Sequence, residues 1–169
     1  MKRVAVTTSK CLACRSCELA CAVEHSLSGN IYEAIREEPL PEGRVNVESV
    51  GNVAVPVQCQ HCEEAPCVEI CPSGALRKSD SGGVVLFDKE RCIGCKWCIV
   101  VCPFGVTWLG EDGRSIIRCD LCPDRLKRGE EPACVDACPT GALVFVELEE
   151  VVRGRRSAFA VRLQSSEET

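Results

Sequence analysis

Aromatic residues are scarce in this chain. Phe, Trp and Tyr make up 4% of 169 residues, too few to build a large aromatic core. Long apolar runs are also missing. No stretch approaches the roughly 18 apolar residues that read as a membrane-spanning helix, and the longest apolar pieces, around 53–57 and 99–101, are core-sized. The beginning of the chain, Met1-Lys2-Arg3-Val4-Ala5-Val6, has two basic residues but no apolar signal-peptide stretch. The expected location is therefore a reducing cytoplasm. Positive charge is not in excess. The formal net charge is −5, which argues against nucleic acid as a partner. No glycine-rich dinucleotide fingerprint occurs, and Gly82-Gly83 reads as a turn rather than a phosphate cradle. No credible nucleophile–base set stands out, so the chain is not expected to be an enzyme on its own.

What the chain has in abundance is cysteine. Its 16 cysteines fall into four groups of four. Group I is Cys11, Cys14, Cys17 and Cys21. Group II is Cys59, Cys62, Cys67 and Cys71. Group III is Cys92, Cys95, Cys98 and Cys102. Group IV is Cys119, Cys122, Cys134 and Cys138. Group III, closed by Pro103, has the bacterial-ferredoxin spacing for a [4Fe–4S] cluster. Four groups that use every cysteine predict four [4Fe–4S] clusters with all sixteen thiolates as ligands. Loading them moves the net charge from −5 to about −13, since each core brings two positive charges and costs four thiol protons. Structural zinc is the alternative, because Cys-x2-Cys pairs also bind zinc. Zinc motifs do not usually repeat a three-plus-one spacing with Cys-Pro ends. Disulfides suit a secreted chain, which this does not resemble.

In two-cluster ferredoxins the fourth cysteine of one run serves the other run's cluster. Groups II and III lie close in sequence and suit such a unit, leaving I to pair with IV. The expected ligand sets are Cys59, Cys62, Cys67 with Cys102; Cys92, Cys95, Cys98 with Cys71; Cys11, Cys14, Cys17 with Cys138; and Cys119, Cys122, Cys134 with Cys21. Residues 65–76 and 132–143 read as copies offset by about 67 positions. Groups I and III repeat their spacing too. Two departures stand out. Group IV has 11 residues between Cys122 and Cys134, and Ala22 follows Cys21 where the other groups have proline.

These patterns predict an α+β fold of two bacterial dicluster ferredoxin-like units, with short strands and helical turns around four clusters. The outer unit would comprise 1–55 and 110–148, the inner unit 56–109, and a C-terminal extension 149–169. Strands are expected near 53–57, 84–87, 105–109, 116–118 and 143–147, with Asp112-Gly113 turning a hairpin. The Gly-Ala-Leu after groups II and IV should lead toward strands. Residues 24–38 should be partly helical before Pro39 and Pro41. Residues 151–163 are basic, and 164–169 should fray. Trp97 is expected to be plain packing, the alternative being a shield for a cluster or a place near an electron path, and His25 and His61 are expected to hydrogen-bond or pack rather than act as proton-coupled groups. Arg15, Arg91 and Lys96 lie near thiolates and would raise cluster potentials, unless they are plain surface charge. Arg153, Arg155 and Arg156 would end a helix or dock a partner.

The segments Cys59-Gln60-His61-Cys62-Glu63-Glu64-Ala65-Pro66-Cys67, Cys92-Ile93-Gly94-Cys95-Lys96-Trp97-Cys98 and Cys138-Pro139-Thr140-Gly141-Ala142 carry a family resemblance. Over residues 3–147 the chain resembles the four-cluster electron-transfer subunits of bacterial oxidoreductases, such as those of dimethyl sulfoxide reductase, formate dehydrogenase and formate hydrogenlyase. The resemblance implies the same I–IV and II–III pairing. It implies electron transfer between a catalytic subunit and an acceptor, a flavoprotein or a hydrogenase. Residues 11–26, from Cys11-Leu12-Ala13-Cys14 to His25-Ser26, look most like the iron–sulfur partner of nickel–iron carbon monoxide dehydrogenase. The rival expectations are a subunit of a tungsten or molybdenum enzyme (aldehyde oxidoreductase, formate dehydrogenase), a free polyferredoxin, and a zinc-binding interaction module.

Overall fold

The computed structural model describes residues 2–79 and 83–167. Among them run, in chain order, β1 (Lys2–Val6), α1 (Ser16–Glu24), α2 (Ile31–Ala34), β2 (Val45–Val50), β3 (Val53–Gln58), α3 (Pro66–Glu69), β4 (Leu76–Lys78), β5 (Val85–Phe87), α4 (Trp97–Val100), β6 (Thr107–Leu109), β7 (Ile116–Arg118), α5 (Pro123–Lys127), α6 (Ala133–Asp136), β8 (Leu143–Glu147) and α7 (Leu148–Glu167). The strands form four separate antiparallel pairs: β1–β8, β2–β3, β4–β5 and β6–β7. This is the α+β arrangement of small ribbons and helical turns that the motifs predict.

The five expected strands are β3, β5, β6, β7 and β8, with ends within two residues of those expected. The segments after the Gly-Ala pairs become β4 and β8. Gly82, half of the expected Gly82-Gly83 turn, lies outside the described residues. Two strands went unread. β2 alternates Val45 and Val47, both buried, with Asn46 and Glu48. β1 pairs with a strand at the far end of the sequence, placing Val4 opposite Phe145 and Lys2 opposite Glu147. Helix occupies two short pieces around 24–38, with Glu24 ending α1 and α2 capped by Asn30, whose side chain accepts from the Tyr32 N–H at 2.8 Å. α7 runs on to Glu167, through most of the 164–169 tail expected to fray, and 168–169 lie outside the described residues. Glu149 and Glu150 in its first turn complement the helix dipole.

Two buried clusters form the apolar interior. One joins Val4, Val45, Val47, Leu121 and Leu143 to Cys17, Cys21, Cys119 and Cys134. The other joins Ala65, Leu76, Val85 and Ile116 to Cys98. Cysteine is thus a large part of the core itself. α1 packs on α6, and α3 on α4, so the helical turns of groups I and IV meet, as do those of II and III. Two hairpins lead straight into ligand groups: β3 ends at Gln58 before Cys59, and β7 ends at Arg118 before Cys119.

The group I departure has a structural consequence. α3, α4 and α6 each stop two residues before the Cys-Pro of their group, whereas α1 continues through Cys21 and Ala22 to Glu24. Giving group I the proline of its siblings, Ala22→Pro, removes an interior hydrogen bond and clashes with the preceding turn. It should cost about 3 kcal/mol, read as a lower unfolding midpoint of the anaerobic holoprotein in denaturant. An unchanged midpoint would show that α1 does not need its last turn.

Candidate metal centres

Each group opens with a Cys-x-X-Cys loop, and the residue before the second cysteine is left-handed in all four. Ala13 has φ 56°, His61 47°, Gly94 72° and Leu121 64°. For a non-glycine residue this conformation costs about 1–2 kcal/mol, and such strain persists where the surroundings over-determine it. Only Gly94 avoids the cost, and there a Cβ would also sit 3.0 Å from Arg114 Cγ. The third cysteine of each group is then the second residue of a helix: Cys17, Cys67, Cys98 and Cys134. A strained loop followed by a helical start turns three thiols of one group toward a common centre.

Three cavities are lined by four cysteines each. Cys71, Cys92, Cys95 and Cys98 share one with Ile93 and Trp97. Cys59, Cys62, Cys67 and Cys102 share the second with Phe104 and Arg118. Cys11, Cys14, Cys17 and Cys138 share the third with Leu12 and Arg15. The remaining four, Cys21, Cys119, Cys122 and Cys134, are all buried. Burial pushes the Cys119 and Cys134 thiols well up, and neighbouring thiols, Cys21 among them, add to it. Burial, with Cys21 close by, likewise takes Cys122 up to about 12. Cys17 and Cys98 rise to about 11, again chiefly by burial. Thiols this reluctant to ionise become ligands only around a strongly cationic centre. Four thiolates can also hold a lone zinc ion. The soft four-sulfur donor sets, repeated with the three-plus-one spacing, suit an iron–sulfur core.

The two histidines sit in opposite states. His25 Nδ1–H donates to the Cys21 carbonyl at 2.7 Å, and Nε2–H donates to Asp120 Oδ1 at 3.2 Å. Neither acceptor can donate, so both ring nitrogens carry protons. Burial opposes that charge, but the bonds to Asp120 and Cys21 prevail and bring its pKa to about 9. Asp120 also pairs with Arg44 and accepts the Cys122 N–H at 3.0 Å. His25, Asp120 and Cys122 converge closely, but a doubly protonated imidazole is no metal ligand. His61 instead accepts the Val85 N–H on Nδ1 at 3.1 Å. Burial, then the nearby Arg118 and Arg3 charges, push its pKa down to about 3, so it is neutral with the proton on Nε2.

The charges read from the sequence are mostly at the surface. Arg15 is exposed and paired with Glu18, Arg91 is exposed and paired with Asp88, and Lys96 is exposed. Trp97 is 53% exposed at the rim of its cavity, not packed in a core. The sequence reading missed Arg118, which is buried against Cys59 and Cys67. Its one signal was position, a charged residue closing an apolar strand directly before a ligand cysteine.

These loops and thiol sets define a [4Fe–4S] protein. A family model described as a 4Fe-4S dicluster domain matches residues 50–148. An iron–sulfur protein of Rhodospirillum rubrum is 42% identical over 168 residues, covering 92% of this chain and 87% of that protein. The thiosulfate reductase electron transfer subunit PhsB of Salmonella typhi is 41% identical over 142 residues, covering 83% and 73%. The B subunit of the anaerobic dimethyl sulfoxide reductase of Escherichia coli K12 is 35% identical over 151 residues, covering 86% and 73%. The present protein belongs to the 4Fe-4S dicluster domain family, and it carries four [4Fe–4S] clusters.

Anaerobic iron and sulfide analysis after full reconstitution should give about sixteen irons per chain, four to a cluster. A plateau near eight would refute four clusters, and a colourless protein with stoichiometric zinc would refute the iron assignment altogether.

Proposed function

We propose that this chain is the electron-transfer subunit of an oxidoreductase complex, passing electrons between a catalytic subunit and a downstream acceptor. The observation that carries the reading is the use of all 16 cysteines in four-thiol sets. When bound, the clusters supply one-electron redox chemistry. The chain's own part is to hold them, to shield them and to set the charge around them. Relatives named as the electron transfer subunit of thiosulfate reductase and as the B subunit of dimethyl sulfoxide reductase support the general role.

The specific partner proposed is nickel–iron carbon monoxide dehydrogenase, with a flavoprotein or a hydrogenase as acceptor. Its support is the segment 11–26, which resembles the iron–sulfur partner of that enzyme. The reductase names favour a second reading, a subunit of a molybdenum or tungsten oxidoreductase. A reducing cytoplasm suits sixteen thiols reserved for metal. Among the described residues no helix is long and apolar enough to cross a membrane.

The proposed ligand sets are the crossed ones, and the three four-cysteine cavities support them. Groups I and IV would form the outer unit (1–55 and 110–148), and II and III the inner unit (56–109). Cys14 and Cys95 are the exposed cysteines, each in a different unit. Their neighbours Leu12, Ile93 and Trp97 are exposed as well. These two places are the proposed points of electron entry and exit.

Two experiments test this reading. Cys102→Ala should disturb the centre of Cys59, Cys62 and Cys67 more than that of Cys92, Cys95 and Cys98, as seen by EPR. The reverse pattern would overturn the crossing. The protein alone should not oxidise carbon monoxide. Added to a carbon monoxide dehydrogenase at fixed concentration, it should speed reduction of the acceptor. No change in rate, with no complex at low salt, would reject that partner and leave the general electron-transfer role.

A further inference from the structure

Arg118 closes β7, and the next residue is Cys119. Arg118 is only 3% exposed. Nη2 donates to Cys59 Sγ at 2.8 Å, and Nη1 lies 3.9 Å from Cys67 Sγ. Nε–H is buried and has no partner. Among the described residues no carboxylate pairs with this guanidinium. Asp120, two residues on, is occupied by His25 and Arg44. A buried cation without a counter-ion is strongly disfavoured, so the thiolates that Arg118 touches are its counter-charge.

Two more features of the same neighbourhood point the same way. His61 is 1% exposed, and its Nε2 has no partner. Because Nδ1 accepts from Val85, that unpartnered nitrogen carries an N–H. Arg3 lies on the other side of this loop, donating to the carbonyls of His61 at 3.0 Å and Gly83 at 2.6 Å. Two buried donors therefore stand without protein acceptors beside group II, and two guanidiniums flank it. The other centres differ. Arg15 beside group I is exposed and shared with Glu18, Lys96 beside group III is exposed, and the His25 charge near group IV is answered by Asp120.

We propose that Arg118 sets the reduction potential of the cluster held by Cys59, Cys62 and Cys67, raising it above those of the other three. Reduction adds one electron and one unit of negative charge to a thiolate-ligated cluster. No bond is made or broken, and the guanidinium keeps its protons. A fixed buried cation in contact with two of the sulfurs favours the more negative, reduced form. This centre then becomes the electron reservoir of the chain. Arg118 acts as a positioning residue, through charge and through hydrogen bonds to sulfur. The inference rests on the four-cluster reading. It does not depend on the partner or on the crossed ligand sets, because Cys59 and Cys67 both belong to group II.

The test is an EPR-monitored potentiometric titration of the isolated anaerobic holoprotein and of Arg118→Gln and Arg118→Lys, with iron counted in each. Cys59→Ser, which alters a ligand of this centre under any pairing, identifies its midpoint. The expected result is that the highest of the four midpoints is the one moved by Cys59→Ser. In Arg118→Gln with full iron, that midpoint falls. The reduced-to-oxidised ratio at the wild-type midpoint drops about tenfold or more, equivalent to 59 mV for a one-electron couple. The other three midpoints stay in place. Arg118→Lys keeps the charge and holds the ratio within about threefold. The proposal is overturned if Arg118→Gln keeps full iron and that midpoint does not move, if all four shift together, or if another group holds the highest midpoint. Should Arg118→Gln lose iron, Arg118→Lys decides. Full iron with near wild-type midpoints supports the charge role, and loss of iron there too makes Arg118 a structural clamp and overturns it. No partner enters the measurement, so its failure leaves the electron-transfer reading untouched.

Discussion

The constraint on which this fold depends is that sixteen thiols have been gathered in and around a small interior, several of them where they do not ionise unaided. Burial raises Cys17, Cys98, Cys119, Cys122 and Cys134 above the ordinary thiol range. Thiolates at those positions need a compensating cationic core. The apolar interior cannot stand in for it. Its members are mostly valine, alanine and leucine on short ribbons, interleaved with the cysteines themselves. Two-stranded ribbons are marginal on their own. Metal binding and folding are therefore expected to be coupled, with the clusters at the places where a larger protein would have an aromatic core.

Charge is distributed around those centres unevenly, in a way the overall balance conceals. The formal net charge is −5, yet the interior near the ligands is rich in cations. Arg118 is buried against two thiols, Arg3 is half-buried against the His61 carbonyl on the other side of that loop, and the doubly protonated His25 faces Cys21. Acidic residues dominate the surface total without reaching most of these sites. Asp120 is the exception. It holds His25, Arg44 and the Cys122 backbone together and so neutralises locally what it organises.

Most of the architecture was legible because ligand spacing is a strong local constraint. A Cys-x2-Cys-x2-Cys run leaves few backbone paths, and the strands after it carry β-branched residues between turn signals. β7 and β8 could be read to the residue. The unread parts depend on partners distant in sequence. β1 is five residues whose strand character comes from pairing with β8. β2 had the alternation of a half-buried strand, but it followed a segment whose prolines pointed to loop. Side-chain roles were the least legible. Arg15, Arg91 and Lys96 are near thiolates in sequence, while Arg118 is near them in space. The difference arises because β7 brings Arg118 back onto a loop about sixty residues earlier.

The two departures from simple motif spacing, in groups I and IV, meet each other in the fold. Without a proline after Cys21, α1 gains the turn that carries Glu24 and presents His25. With 11 residues between Cys122 and Cys134, group IV gains α5 and Arg125. Arg125 then bridges Glu24 at 3.4 Å and Asp136 at 3.0 Å, while its Nε donates to the Glu131 carbonyl at 2.7 Å. His25 reaches Asp120, between the first two cysteines of group IV. The missing proline and the long loop are thus complementary. One extends the helix of group I, and the other builds the side chains that fasten it. Groups II and III have neither feature and no such fastening among the described residues. They are joined by short ribbons. The fastened pair holds Cys21, Cys119, Cys122 and Cys134, which are all buried, alongside the exposed Cys14; burial of the first four keeps water from the sulfurs of an iron–sulfur centre.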